Sequence, residues 1–241
     1  MILKIQYIIF YHWMFFKNMI KNLLIKYHTW KFAKSQMDKV FIEGTLLNAF
    51  FKSKSIFIHI PKTAGVSLVK AIYGDVTLEG HRSFYFNSIA LNTKNDKYFS
   101  FTFVRNPFDR LYSAFTFLQD GGINNHDRLA FQSHLSEFND FEDFVLNGLN
   151  TKLIYQITHL IPQHEYLCDR SGSILVDFVC RFENLDNDIL LISKKIKKDI
   201  IIIHNNYKKK RDYKEVYTKK MIDKVYQIYQ KDINIFQYSF K

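Results

Sequence analysis

The 241 residues suffice for one domain of ordinary to large size, and 47% of them are hydrophobic, which is enough to form a core. A formal net charge of +11 favours an anionic ligand, an anionic membrane surface or nucleic acid as partner, with a merely solvated basic face as the plain alternative. The two cysteines, Cys168 and Cys180, exclude a disulfide framework and a Cys/His metal site. We expect free thiols, with one optional disulfide as the alternative, and no metal.

The N-terminal segment is apolar and flanked by lysines. Residues 5–16 carry no charge between Lys4 and Lys17, yet a membrane-spanning helix needs about 20 apolar residues. No small-residue cleavage site follows. We therefore expect a basic, aromatic helix in a membrane interface, a hydrophobic helix packed on the domain, or an extension upstream of a start at Met37. Residues 1–50 are predicted to form this extension and residues 51–241 the main domain.

Strands and helices are predicted to alternate along the rest of the chain. Asn106 and Pro107 indicate a helix N-terminus, because asparagine is a favoured cap and proline a favoured first residue. The pattern predicts a three-layer α/β domain with a central parallel sheet flanked by helices. The predicted strands are 55–60, 98–104 and 173–182, and the predicted helices are 66–73, 107–119, 127–157, 184–197 and 214–231.

The segment after the first predicted strand has the character of a phosphate loop. In open α/β sheets, anions bind where a helix N-terminus follows a strand. Against the pattern GxxxxGK[ST], this chain keeps Gly65 and Ser67 but has Val66 in place of the lysine, which stands instead at Lys62. Asp177 is a poor candidate for a magnesium ligand. A magnesium-dependent nucleotide hydrolase is therefore disfavoured, whereas a phosphate cradle is retained.

A second candidate anion site follows the second predicted strand. Arg105 stands at the strand end, and Arg110 and Ser113 are i,i+3 neighbours on the helix. An arginine fork can bind a phosphate with two hydrogen bonds, and a serine hydroxyl adds a donor. The alternatives are a helix cap for Arg-Asn-Pro and a surface charge for Arg110.

Two segments carry a family resemblance. The first is His59-Ile60-Pro61-Lys62-Thr63-Ala64-Gly65, and the second is Arg105-Asn106-Pro107-Phe108-Asp109-Arg110-Leu111-Tyr112-Ser113. Both resemble the cofactor motifs of the carbohydrate (Golgi-type and bacterial, family 2) sulfotransferases, which use 3′-phosphoadenosine-5′-phosphosulfate (PAPS). The resemblance covers roughly residues 55–240, including Arg181-Phe182-Glu183-Asn184-Leu185 and the tail from Arg211. It implies a P-loop-NTPase-like fold and a PAPS site without metal. The family usually has Thr where this chain has Val66, so we expect weaker cofactor binding. The implied cofactor-binding residues are Pro61, Lys62, Thr63, Ala64, Gly65, Val66, Ser67, Arg105, Ser113 and Arg211.

The resemblance also implies two catalytic residues. Lys62 would stabilise negative charge on the oxygen that leaves with the nucleotide. His81 resembles in position the catalytic histidine of uronyl 2-O-sulfotransferases, and its ordinary pKa suits a general base. Glu79 and Asp75 are the alternative bases, while His59 is expected to pack at the strand end. The basic run 208–211 would close over the cofactor, hold an acidic glycan or form a solvated loop.

The expected function is sulfuryl transfer from PAPS to a carbohydrate hydroxyl. Sulfotransferases acting on lipid, small-molecule or tyrosyl hydroxyls are the alternative, followed by a noncatalytic nucleotide-binding module. Nucleic acid is not expected as a partner, because the basic residues are not interleaved with a known reading motif. We expect a cytoplasmic or peripheral membrane protein of bacterial or viral type, or a Golgi membrane protein if the source is eukaryotic.

Overall fold

The computed structural model describes residues 23–94, 97–202 and 212–240 and has a parallel β-sheet at its centre. The strands are β1 (Ser55–Ile58), β2 (Phe99–Val104) and β3 (Phe178–Arg181), in the spatial order β1-β2-β3. The register pairs Phe57 with Phe101 and Phe101 with Phe178. Both faces of β1 are buried, as expected of a parallel strand covered by helices on both sides.

Helices connect and flank the strands. They are α1 (residues 23–35), α2 (Leu46–Ser53), α3 (Gly65–Tyr73), α4 (Phe84–Ala90), α5 (Pro107–Gln119), α6 (Asn125–His134), α7 (Phe141–Asp143), α8 (His164–Leu167), α9 (Leu185–Ile196) and α10 (Lys219–Ile235). Short 3₁₀ turns lie at Met37–Phe41, Leu153–Tyr155, Thr158–Leu160, Phe182–Asn184 and Tyr213–Val216, and α7 continues as a π-turn, Phe144–Gly148. The predicted α/β fold with a parallel sheet and flanking helices is confirmed.

Two apolar cores support the sheet and its connections. The first joins the strands to α2, α3, α4 and α9 through residues such as Phe50, Leu68 and Ile189. The second lies among α5, α7 and α10 and includes Phe115 and Met221. The carboxyl ends of all three strands point to the same edge of the sheet, where the loops after β1 and β2 meet.

The long helix predicted over residues 127–157 is wrong. The structure breaks this stretch into α6, α7 with its π-turn, and the 3₁₀ turn Leu153–Tyr155. Asp140 starts a new helix by accepting a hydrogen bond from the backbone N–H of Asp143 at 2.9 Å. Asn150 accepts bonds from the N–H groups of Lys152 and Leu153 instead of continuing the helix.

The third strand and the last helix begin later than predicted. β3 starts only at Phe178, because the Asp177 carboxylate accepts hydrogen bonds from both the backbone N–H and the hydroxyl of Ser100. This pair lies at the amino end of the strands, opposite the phosphate loop, which agrees with the poor prospects of Asp177 as a magnesium ligand. Likewise α10 begins at Lys219, because the Thr218 side chain caps it by accepting from Met221 N–H.

The N-terminal residues that the structure describes pack on the domain. Ala33, Val40, Leu47 and Phe50 are buried in the same core as the sheet, and residue 50 falls within α2. The segment 1–22, including the apolar stretch 5–16, lies outside the described residues, as do Arg211 and the basic run 208–211. None of the helices described is long and apolar enough to cross a membrane.

Candidate active site

The loop between β1 and α3, the candidate phosphate loop, is sharply bent. Lys62 and Ala64 have φ angles of 70° and 63°, which turn the backbone sharply before α3. Ala64 is the N-cap residue, and its methyl group makes no hydrogen bond to the first turn. The N-terminus of α3 thus presents backbone N–H groups that no side chain caps, at the positive end of the helix dipole.

Gly65 and Thr63 fix the shape of this loop. A Cβ atom on Gly65 would lie 1.7 Å from Cδ2 of His59, so only glycine permits the contact between loop and ring. The Thr63 side chain is fully buried, and its hydroxyl donates to the Ile60 carbonyl at 2.9 Å. Thr63 therefore holds the loop through its hydroxyl. Val66 and Ser67 lie on the exposed side of α3.

Lys62 lies on the exposed side of the loop against an aromatic ring. Its Nζ atom is 3.5 Å from the ring centroid of Phe117 on α5. A cation over a ring face at this distance is attracted by the ring quadrupole. The contact gives the flexible lysine a defined position between the loop and the adjacent helix. Phe117 was missed as a partner of Lys62, because no sequence pattern links the two residues.

Arg105 joins the two predicted anion sites directly. Its Nη1 donates to the carbonyl oxygen of Lys62 at 3.0 Å, while Nε and Nη2 bind the Asp109 carboxylate at 2.6 and 2.8 Å. The guanidinium lies on the Phe182 ring, 4.1 Å from its centroid. The buried Gln163 side chain fixes the backbone of Arg105 through two hydrogen bonds. Asp109 was missed as a site residue, although its i,i+4 spacing from Arg105 is a signal for such a pair.

Asn106 and Pro107 form the predicted start of α5. The Asn106 side chain accepts from Phe108 N–H, and Pro107 is the first helical residue. The backbone N–H of Asn106 donates to the Glu183 carboxylate at 2.6 Å, and the Asn106 amide donates to the Ser239 carbonyl at 2.9 Å. The strand-to-helix junction after β3 and the C-terminal tail thus meet at this site. Ser113 is buried on α5, two turns beyond Asn106.

Arg110 is a buried structural residue, so the alternative of a surface charge is wrong. Only 2% of its surface is exposed. Its guanidinium donates to the carbonyl oxygens of Ile161 at 2.7 Å, His159 at 3.3 Å and Pro61 at 3.5 Å. Arg110 therefore ties α5 to the phosphate loop and to the segment before α8.

Three histidines converge behind the phosphate loop. The ring centroids of His59 and His81 are 4.3 Å apart, and those of His81 and His159 are 6.0 Å apart. His81 Nδ1 donates to the His59 carbonyl at 2.9 Å. Asp127 on α6 lies 3.7 Å from His159 Nε2. As predicted, His59 packs at the end of β1, whereas His159 and Asp127 were missed, because each stands alone in the sequence.

Burial keeps this cluster neutral. Loss of hydration, together with smaller contributions from the neighbouring His81 and His159, lowers the pKa of His59 to about 3. Burial also lowers the pKa of His159 to about 4 although Asp127 opposes the shift. The pKa of His81 is lowered by burial, against the opposing effects of the His59 carbonyl and Asp127. Near pH 7 all three rings are therefore uncharged.

The two alternative bases have other partners. Glu79 forms an ion pair of 2.6 Å with Lys39, and Asp75 lies 3.4 Å from Lys70 on the surface. His81, the third predicted candidate for the general base, is hydrogen-bonded through Nδ1 to the carbonyl oxygen of His59, which lies at the start of the phosphate-loop segment. In the described parts of the chain, no group of three or more His, Cys, Asp and Glu side chains could hold a metal ion.

These features describe an α/β protein with a lysine-bearing candidate phosphate loop after the first strand and an arginine after the second. The model of the Sulfotransferase family matches residues 51–239. The chain therefore belongs to the sulfotransferase family and is a transferase that acts by sulfuryl transfer. No match was found among curated proteins or among solved structures.

Proposed function

We propose that this sulfotransferase uses PAPS as donor and a carbohydrate hydroxyl as acceptor. One observation carries the donor proposal: the 3.0 Å hydrogen bond from Arg105 Nη1 to the Lys62 carbonyl, which joins the loop for the 5′-phosphosulfate to the arginine for the 3′-phosphate. A nucleotide with phosphoryl groups on both the 3′ and the 5′ oxygen of its ribose would contact both motifs. ATP lacks the 3′-phosphate and would leave Arg105 without its ligand.

The donor groups present fit such a ligand. An arginine has five N–H donors, and the contacts to Asp109 and Lys62 use three of those on Arg105. The two remaining donors, one on each Nη atom, suit a phosphate. At the other end, Lys62 and the uncapped N–H groups of α3 supply positive potential for the 5′-phosphosulfate. PAPS would provide the activated sulfuryl group.

Lys62 and His81 have distinct roles in this proposal. Lys62 neutralises negative charge that develops on the oxygen leaving with the nucleotide. His81 accepts the proton of the acceptor hydroxyl. Because His81 Nδ1 donates to the His59 carbonyl, the neutral ring has its lone pair on Nε2, and a lowered pKa keeps that nitrogen unprotonated.

A carbohydrate acceptor is favoured by the surroundings of His81. A cavity of about 490 Å³ lies beside it, lined by the aromatic rings of Phe32, Phe86 and Tyr166. Such rings supply flat apolar surfaces for sugar faces, and the volume is within the range of small-molecule sites. Lipid, small-molecule and tyrosyl hydroxyls are the competing acceptors. A noncatalytic nucleotide-binding module ranks last, because His81 would then have no role.

A transfer assay with labelled PAPS tests the proposal. Polysaccharides, glycolipids, simple phenols and tyrosyl peptides are offered in parallel, and we expect label on the polysaccharide or glycolipid sugar. Independently, 3′,5′-ADP at about 100 times its Kd should stabilise the fold by about 2.7 kcal/mol. Label on phenol or tyrosine alone would reject the carbohydrate acceptor. No label on any acceptor and no stabilisation would reject the PAPS proposal altogether.

We also propose that the N-terminal region contacts a membrane surface. The described part of this region, α1, exposes apolar side chains interspersed with Lys26, Lys31 and Lys34, namely Leu23, Leu24, Ile25, Tyr27 and Trp30. Basic helices with exposed aromatic residues bind anionic interfaces. Co-sedimentation with anionic vesicles, but not with neutral ones, is the expected result. Equal recovery in the supernatant with both vesicle types would contradict it.

A further inference from the structure

The cavity beside His81 is enclosed partly by a helix outside the family match. His28, Thr29 and Phe32 of α1 line one wall, and His81, Arg82 and Tyr166 line other parts. The match to the sulfotransferase family starts only at residue 51. The wall formed by α1 is therefore an addition of this chain to the matched region, and it faces the proposed general base.

Arg82 lines this cavity and packs against two aromatic rings. Its guanidinium carbon lies 4.8 Å from the Phe32 ring centroid and 5.1 Å from that of Phe86. The Nε atom is buried and has no hydrogen-bond partner. Within the described residues, no carboxylate forms an ion pair with Arg82. Because Nε has almost no accessible surface, a ligand in the cavity would reach the guanidinium through its Nη groups, which form no hydrogen bond within the described residues.

The carboxylates near Arg82 are engaged elsewhere. Glu79, whose charge acts on Arg82, is bound by Lys39 Nζ at 2.6 Å. Glu165 lines the same cavity but accepts the hydroxyl of Tyr155 at 2.7 Å. Partial burial lowers the pKa of Arg82, while Glu79 raises it. Burial lowers the pKa of the adjacent His81, so the charge that attracts an anion in this cavity near pH 7 is that of Arg82.

We infer that this cavity is the acceptor site and that Arg82 binds an anionic substituent of the acceptor. The inference rests on the proposed function, because it takes His81 as the residue that receives the hydroxyl. The substituent is a carboxylate, a sulfate ester or a phosphate ester, each of which an arginine fork can bind with two hydrogen bonds. The guanidinium packs against the adjacent rings of Phe32 and Phe86, so α1 contributes directly to acceptor selection.

Binding to a matched set of four oligosaccharides tests this inference without turnover. The first is a tetrasaccharide of alternating glucuronic acid and N-acetylglucosamine, and the second is its carboxyl-reduced form. The third and fourth carry a sulfate or a phosphate ester at the reduced carbon. Calorimetry with the full chain should show roughly tenfold or greater preference for at least one charged form over the neutral one. The preferred form identifies the substituent.

Two substitutions and a control locate the preference. Arg82→Gln should reduce the preference to about twofold or less, and Phe32→Ala should weaken it, because the guanidinium loses one of its rings. Arg170→Gln removes the same charge from an exposed turn and should bind like wild type. Circular dichroism verifies folding, and Arg82→Lys, which keeps the charge but not the fork, provides a second test if Arg82→Gln does not fold.

The outcomes separate this inference from the proposed function. Equal affinity of wild type for all four compounds, binding of none of them, or an unchanged preference in Arg82→Gln would each overturn the inference. Failure of labelled PAPS transfer and of stabilisation by 3′,5′-ADP would instead reject the donor proposal. If the donor proposal fails but the preference for charged oligosaccharides still depends on Arg82, the proposal that Arg82 binds an anionic ligand remains supported.

Discussion

At the scale of single residues, the site combines two cationic side chains, one for each phosphoryl group of the proposed nucleotide, with a neutral histidine beside the loop as general base. Lys62 is held by the Phe117 ring, Arg105 by Asp109 and Phe182, and His81 by the His59 carbonyl. Each side chain is thus oriented by a partner that does not itself react. Such pre-orientation is what transfer reactions without covalent catalysis require.

Lys62→Ala should lower kcat by roughly 100-fold or more, the usual effect of removing one charge-stabilising donor. Steady-state transfer of labelled sulfate measures the change. Lys70→Ala is the control, since Lys70 lies on the exposed face of α3 with its side chain 75% accessible. A Lys62→Ala enzyme as active as the Lys70→Ala enzyme would refute the charge-stabilising role.

Arg105→Lys should erase most of the preference for a nucleotide with a 3′-phosphate. The substitution keeps the charge but loses the planar fork. We expect the affinity ratio of 3′,5′-ADP to 5′-AMP to fall roughly tenfold, as measured by calorimetry. Arg170→Lys, on an exposed turn, should leave the ratio unchanged. An unaltered ratio in Arg105→Lys would place the 3′-phosphate elsewhere.

His81→Gln should lower kcat while 3′,5′-ADP binds nearly as before. The pH profile of wild-type kcat should fall on the acid side with a midpoint below 6.5, because burial lowers the pKa of His81 and only the neutral ring accepts a proton. This acidic limb should disappear from the residual rate of His81→Gln. If the limb persists there but disappears in His159→Gln, His159 is the base instead.

At the scale of elements, the phosphate loop is shaped by a contact between β1 and α3. Gly65 does not have a positive φ, so the backbone would accept alanine there, and His59 alone excludes a side chain. Arg105 and Arg110 then fasten the loop to α5 through the carbonyl oxygens of Lys62 and Pro61. The loop is consequently held from both adjacent elements.

Gly65→Ala should destabilise the protein by about 1–3 kcal/mol, typical of overpacking. It should also weaken 3′,5′-ADP binding, because the loop must move away from His59. In the background of His59→Ala, the same Gly65→Ala change should cost less than half as much. Urea unfolding of the four proteins of this double-mutant cycle gives the coupling energy. Additive effects would contradict the proposed steric cause.

At the scale of the whole molecule, distant segments converge on the carboxyl edge of the sheet. Asp232 of α10 is fully buried and accepts hydrogen bonds from the backbone N–H groups of Gln163 and His164. Gln163 in turn fixes the backbone of Arg105. The C-terminal helix therefore supports the site through a chain of hydrogen bonds, and the buried histidines add a dependence of stability on pH.

The free energy of unfolding should decrease as the pH falls below 6.5. The folded-state pKa values of His59 and His159, about 3 and about 4, are below the ordinary value, so the unfolded chain takes up protons that the folded chain does not. The loss from His59 alone is on the order of 4 kcal/mol near pH 3. Urea unfolding at several pH values measures it. His59→Asn should reduce the slope, and an unchanged slope would contradict the assignment.

Features that depend on neighbouring residues could be predicted from the amino-acid sequence. The two anion motifs, the helix start at Asn106 and Pro107, and the α/β alternation are local patterns, and the structure confirms the helix start and the fold class. The long helix at residues 127–157 was wrong because Asp140 and Asn150 make local hydrogen bonds that compete with the helix. Propensity alone did not reveal that competition.

Contacts between side chains that are distant in the sequence depend on the packing of the folded chain and could not be predicted. The Arg105 contact to Lys62 spans 43 residues and the Arg110 contact to Ile161 spans 51. The histidine cluster joins residues from three separate segments. The cavity that Arg82 lines is formed only where α1 packs beside His81. Burial sets the histidine pKa values and leaves Arg82 Nε without a partner, and burial is a property of the packed molecule rather than of any local sequence pattern.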